Sequence, residues 1–324
     1  MIWLTWRQQR FEAALAAAAI ALGIAVLVLT RQAIIADINA LGIADCLRGL
    51  GDGNTCSNAY QAFKDNFNSQ QTLLGALIYL PTLVGVVLAA SVALEMEQGT
   101  YRLAWAQSVT RGRWMLSRIG LPLLFGVAIT GLIAAMTSWW MQPANQIQGA
   151  LRPGAFDVQG LLPPAYMVLA FAITIAAGVV ARRIVPAVGL GIVAGIGAHL
   201  AVQGWLRANF VAPMSSIWMS GPSPYGPRDW VVQGGAGASS YLYVDSTGRQ
   251  LSYEQVQAVC GQVTGAQSKG AWSSCLQAHH LGELVKWQPP TRFWELQSIE
   301  TALVVGIALA LLLVTAWWLR SRTV

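Results

Sequence analysis

Glu95-Met-Glu-Gln-Gly-Thr100-Tyr-Arg-Leu-Ala-Trp105-Ala-Gln-Ser-Val-Thr110-Arg-Gly-Arg-Trp114 lies between two apolar stretches, about 72–94 and 119–139. Each of those is long enough to cross a hydrocarbon core, which takes roughly 17 to 25 residues of helix. Between them the sequence places two acids, a helix-interrupting Gly-Thr and a basic run carrying Trp105 and Trp114. Acids ending a membrane helix and an amphipathic basic run after it are what a soluble partner needs in order to push on the helix. The stretch therefore reads as a transmission element and makes the chain a membrane protein with a working inner loop.

The rest of the composition agrees. Apolar residues make up 55% of the chain and charged residues 10%, against roughly a quarter charged in a soluble domain. Six stretches are long and apolar enough to span, at about 12–30, 72–94, 119–139, 162–181, 184–206 and 298–319. Arg7, Arg10, Arg102, Arg111, Arg113, Arg118, Arg182, Arg183, Arg320 and Arg322 all fall on one side, in short segments with few acids. Lys and Arg concentrate in cytoplasmic loops, so both termini are expected in the cytoplasm. The same scatter over short loops argues against nucleic-acid binding, which calls for one basic face. Trp3 and Trp6 with Arg7 and Arg10 suggest a short interfacial helix that stays as an anchor rather than a cleaved leader.

The expected fold class is an all-α integral membrane protein of six transmembrane helices, with a small stapled extracellular cap. Residues 1–206 hold the first five helices, with an outer loop at 31–71 and a cytoplasmic coupling segment at 95–118. Residues 207–297 form the cap loop, and 298–324 the last helix and its cytoplasmic tail. Within the cap, 240–244 and 250–253 flank Asp245-Ser-Thr-Gly248 as a hairpin, followed by a helix from Tyr253 to about Val263. Cys46, Cys56, Cys260 and Cys275 all lie on the outer side. Oxidising compartments preserve disulfides, and two local pairs, Cys46 with Cys56 and Cys260 with Cys275, are the economical choice among three possible pairings.

The pattern Glu95-x-Glu97-x-Gly99-Thr100-x-x-Leu103 resembles the E-x-E-x-G-T-x-x-L signature of ABC-2 type transporter permeases, and its continuation to Trp114 is similar to the actinobacterial branch of that family. A second stretch, Arg292-Phe-Trp-Glu-Leu-Gln-Ser-Ile-Glu-Thr301, resembles the R-F-W-x-x-Q-x-I-E-T that leads into their last membrane helix. The resemblance implies a permease subunit of an ATP-driven exporter. It would work beside two cytoplasmic ATPase subunits and a second or related permease copy, among membrane lipids, in the plasma membrane. It assigns coupling to Glu95, Glu97, Gly99, Thr100, Arg111 and Arg113, with Trp105 and Trp114 as anchors, and offers Arg292 as a partner for Glu300.

No G-x-x-x-x-G-K-[ST] run exists in the chain, so the phosphate cradle for ATP and Mg is expected on the partner subunit. No enzymatic constellation stands out. His279 and His280 are adjacent and cannot share the i, i+4 face of a zinc helix, so no metal is expected. His199 and Glu300 are ionisable residues in or near spans and are candidates for the transport path. Gly191 and Gly195, spaced as G-x-x-x-G, are candidates for helix packing or a subunit interface. The alternative function is a membrane receptor or immunity protein whose cap binds a ligand without transport.

Overall fold

Pro163 and Pro164 start a helix whose next seventeen residues are nearly all apolar, and this helix becomes the axis of the molecule. Proline is tolerated there because the first helical amides have no intrahelical acceptor. The computed structural model describes residues 25–48, 53–99, 116–219, 223–234, 241–260 and 269–322. The interfacial N-terminal segment, residues 12–24 of the first span, and Thr100, Trp105, Arg111, Arg113 and Trp114 lie outside the described residues.

Residues 25–40 are helical (α1), followed by α2 (Ile43–Leu47), α3 (Gly53–Gln98), α4 (Leu121–Gln148, led by a π-helical turn at Leu116–Gly120), α5 (Leu162–Ala181) and α6 (Ile184–Ala201, extended by tighter and looser turns to Asn209). Then come α7 (Tyr253–Cys260), α8 (Lys269–Ala278) and α9 (Phe293–Arg322). Among the described residues, five segments are long and apolar enough to span: Leu77–Gln98, Leu116–Gln148, Leu162–Ala181, Ile184–Asn209 and Pro290–Leu319. This is a multi-pass membrane protein. Its α5 is packed against α3, α4, α6 and α9. Within the chain 67% of the apolar window of α5 is buried, against 17% for α4, so α5 is the hub and α4 gives most of its surface to lipid or to another subunit.

Small residues set the spacing at the hub. A Cβ on Gly85 of α3 would run into the Met167 carbonyl of α5, and one on Gly178 would lie 2.9 Å from the Ala93 Cβ. Lipid gives helices little hydrophobic reason to associate, so the gain comes from backbones approaching closely.

Residues 31–71, expected as a loop, are largely helical. The α3 helix has 46 residues, about 70 Å at 1.5 Å per residue, and a hydrocarbon core is only about 30 Å thick. Its first half therefore stands beyond the bilayer. It stays helical because Ala59, Phe63 and Phe67 recur every fourth residue and pack with Ile34, Ile43, Trp140, Met141 and Ile147. The sulfurs of Cys46 and Cys56 are at disulfide distance, joining α2 to α3.

The all-α expectation is corrected by a five-stranded antiparallel sheet. Its strands are β1 (Met214–Trp218), β2 (Trp230–Gln233), β3 (Leu242–Val244), β4 (Gln250–Ser252) and β5 (Gly282–Gln288). The β3–β4 hairpin turns on Asp245, whose Oδ1 accepts the amides of Thr247 and Arg249. The central strand, β5, pairs with β1, β2 and β3. Its Gly-Glu-Leu-Val-Lys-Trp-Gln alternates apolar and polar residues over only one short run, a weak signal beside the membrane helices. Tyr243, Val256, Leu276 and Leu281 form a small core under the sheet. Cys260 and Cys275 are at disulfide distance, Cα atoms 5.9 Å apart, joining α7 to α8.

Candidate functional site

The spans end on one side at Glu95–Gly99, Arg118 and Arg182–Arg183, here the basic end, and on the other beside the sheet, here the sheet end. Each end carries a polar constellation.

At the basic end, α5 stops in a two-residue turn. Arg182 adopts φ 50° and Arg183 is extended, so α6 starts at Ile184 with an amide that has no partner in its own helix. Glu97 of α3 supplies one: its Oε2 accepts the Ile184 N–H at 2.6 Å. A carboxylate at a helix N-terminus also meets the positive end of the helix dipole. Glu95 pairs with Arg118, 3.2 Å away in the turn leading into α4. Gly99 follows the last helical residue at φ 70°, a left-handed conformation that glycine adopts without steric cost. The two glutamates thus tie α3 to α6 and to the start of α4. Glu97→Ala is expected to lower stability by about 0.5–1 kcal/mol. Thermal unfolding in detergent micelles would check this, with Glu97→Gln, which keeps an acceptor, losing less.

At the sheet end, the turn between α4 and α5 folds back into the bundle and carries Asp157, buried among α5, α6 and α9. Arg207 sits at the end of α6, its side chain 1% exposed. Its guanidinium grips Glu300 of α9 as a fork, Nε to Oε2 and Nη2 to Oε1 both at 2.8 Å, and Nη2 also donates to Asp157. Tyr166 of α5 donates its hydroxyl to Glu300 at 2.9 Å. Gln203 Nε2 and the Gly154 amide donate to the second Asp157 oxygen. His199 is 1% exposed, with its ring centroid 4.3 Å from that of Tyr166 and its Nε2 3.4 Å from Asp157 Oδ1, an ion-pair distance without hydrogen-bond alignment. Burial drives the Asp157 pKa upward most strongly, but contact with His199 and the Arg207 charge together outweigh it and hold the carboxyl well below the usual carboxylate range.

Next to this network, Gln297 knits the α4–α5 turn to α9. Its Oε1 accepts the Leu161 amide at 2.9 Å, and its Nε2 donates to the carbonyls of Phe156 and Gln159. Gly160, at φ 66°, leaves room for it, since a Cβ there would lie 2.8 Å from Gln297 Oε1. The R-F-W-x-x-Q-x-I-E-T stretch therefore contributes two anchoring side chains, Gln297 and Glu300, to one buried polar cluster. Glu95 and Glu97 of the other motif stand at the opposite end of the bundle.

The family model described as ABC-2 membrane transporter related matches residues 17–207, well over half of the chain. The chain belongs to the ABC-2 membrane transporter related family. No curated protein and no solved structure matches it. Membership makes this chain a membrane transporter permease and implies partnership with a separate ABC ATPase subunit. The matched region takes in the Glu95–Gly99 stretch, the α4–α5 turn and Arg207, while Glu300 comes from beyond it.

In this permease His199 and Glu300 share one cluster, as neighbours of the same Asp157–Arg207 pair. Arg292 is not the partner of Glu300: its Nη1 donates to the Ala212 carbonyl and to Gln288 Oε1, both at 2.7 Å. Arg292 closes the short 3-10 turn just before α9 and faces the sheet instead. Gly191 and Gly195 pack inside the chain, Gly191 against Thr174 and Val86 and Gly195 against Thr82 and Ala170. Asp157, Arg207, Tyr166 and Gln297 were not singled out by the sequence. The available signal was Glu300 itself, since a carboxylate entering an apolar run requires a counter-charge, and Arg207 closes the neighbouring span.

Proposed function

We propose that this chain is the six-span permease subunit of an ATP-driven ABC exporter in the plasma membrane, moving an amphiphilic or drug-like substrate. Both termini and the basic end face the cytoplasm, and residues 207–297, which carry the sheet, form an extracellular cap. A pair of ATPase subunits supplies ATP, Mg and hydrolysis, and a second permease copy or a related one completes the path.

The observation that carries the reading is the placement of Glu95 and Glu97. Force delivered to the segment after α3 reaches α6 through Glu97 and α4 through Glu95, so three helices feel one push. Coupling is assigned to Glu95, Glu97, Gly99, Thr100, Arg111 and Arg113. The transport cycle is a shift between two packings, which the ATPases drive only if they contact the two differently. His199 and Glu300 then belong to a buried latch that shifts as a unit when α6 and α9 move, and His199→Ala with unchanged transport and stability would remove His199 from it.

The test is copurification with the cognate ATPase followed by reconstitution in vesicles. The double variant Glu95→Ala, Gly99→Val removes one ion pair and strains one left-handed position, and it is expected to lose at least about tenfold of cargo-stimulated hydrolysis, since each tenfold needs only about 1.4 kcal/mol of lost coupling. Docking and transport at wild-type levels in that variant would sink the coupling assignment. Ligand binding with no cargo movement would instead favour a receptor.

A further inference from the structure

At the sheet end, a cavity of about 440 Å³ opens between the first half of α3, the end of α4, the α4–α5 turn and the approach to β2. That volume is in the range of small-molecule sites. Its apolar wall includes Tyr60 and Trp230, and its charged groups are Arg152, Lys64 and Asp229, two cations against one carboxylate. Asp229 is engaged in its own turn, where Oδ2 accepts the Gly226 amide at 2.7 Å.

Arg152 is the unusual member. Its Nε is fully buried without a hydrogen-bond partner, and its guanidinium has no ion pair among the described residues. Burial pulls its pKa down to about 10, so it remains charged at neutral pH in a place that disfavours charge. By contrast, the buried guanidinium of Arg207 holds two carboxylates, Asp157 and Glu300, through its Nε and Nη2, with only Nη1 left over. An uncommitted planar fork facing a cavity matches the geometry of a carboxylate or phosphate. The opposite wall is held in place by close backbone contact: the Arg228 carbonyl approaches Gly149, at φ 78°, so closely that a Cβ would collide with it.

We propose that this cavity binds a water-soluble amphiphile bearing one carboxylate or phosphate, its charge on Arg152 with Lys64 nearby, and its apolar body against Tyr60 and Trp230. The same anionic head could come from a phospholipid, since Arg152 also lines a smaller cavity with Gly75 and Ile78 at the start of the α3 span, but the placement of Lys64 favours the soluble source. Lys64 stands roughly 20 Å along α3 beyond Leu77, where the apolar span begins, at about 1.5 Å per residue. This site needs no ATPase and does not depend on the transport reading.

The test is binding of radiolabelled octanoate to the full chain in nanodiscs of zwitterionic lipid, with empty nanodiscs subtracted. Saturable binding is expected, at least about tenfold weaker in Arg152→Gln and about threefold weaker in Lys64→Gln. Octanol should compete at least about tenfold less well than octanoate, and inorganic phosphate, lacking an apolar body, also poorly. Equal binding by wild type and Arg152→Gln, or equal competition by octanol, would overturn the proposal. Displacement of octanoate by phosphatidylglycerol in the nanodisc would also overturn it, in favour of a lipid headgroup. Should Arg152→Gln fail to fold, the exposed Lys64→Gln and the octanoate–octanol comparison on wild type decide the matter alone.

Discussion

Arg207→Met is expected to lower the stability of the permease by about 3–5 kcal/mol, because it leaves the carboxylates of Asp157 and Glu300 buried without their counter-charge. Removing one partner of a buried ion pair costs more than removing the whole group, since the orphaned charge keeps its desolvation penalty. The triple variant Arg207→Met, Asp157→Asn, Glu300→Gln should therefore recover most of the loss. Thermal unfolding midpoints in micelles distinguish these outcomes, and a single variant melting with the wild type would show that the cluster does not clamp α6 to α9. Acid should probe the same cluster. The folded carboxyl of Asp157 is depressed below its ordinary value of 3.8, so its contribution is complete above that pH. It is lost only as the pH falls further towards the depressed value.

Gly85→Val is expected to be the second most damaging change. The added Cβ meets the backbone carbonyl of Met167 and lies 3.0 Å from the Phe171 amide. Backbone in the middle of α5 cannot rotate away as a side chain can. Overpacking of this kind costs about 1–3 kcal/mol for the first carbon and more for a branched side chain. Gly197→Ala is the internal control. Nothing lies within 4 Å of its Cβ position, and alanine favours helix over glycine by about 0.8–1 kcal/mol, so it should be neutral or stabilising. Equal effects at Gly85 and Gly197 would show that the α3–α5 contact is not set by close approach.

The membrane helices are legible because an unbroken apolar run of about 20 residues can satisfy its backbone amides in lipid only as a helix, a barrel strand being half as long and alternating. The sequence places the α5 and α6 ends nearest Arg182 within a residue or two of Ala181 and Ile184. The two cysteine pairings were also the local ones. The first half of α3 reads as a loop in sequence because its stripe of Ala59, Phe63 and Phe67 is thin and sits among polar residues. The sheet was only partly seen: its β3–β4 hairpin carries turn chemistry in Asp245 and Gly248, whereas β5 is recognisable as a centre only when β1, β2 and β3 lie beside it.

What the sequence alone determined is the solvent, the family and the motifs: a chain too apolar for water, with acids at Glu95 and Glu97 and at Glu300 that lipid would not tolerate unpaired. What only the tertiary structure decided is who pairs with whom. Arg207 rather than Arg292 holds Glu300, Glu97 caps a helix 87 residues away, and Arg152 is left uncommitted at a cavity wall. Hydrophobicity is a property of each residue and can be summed along the chain. A counter-charge is a property of distance in space, and the folding of α4, α6 and α9 around α5 sets those distances.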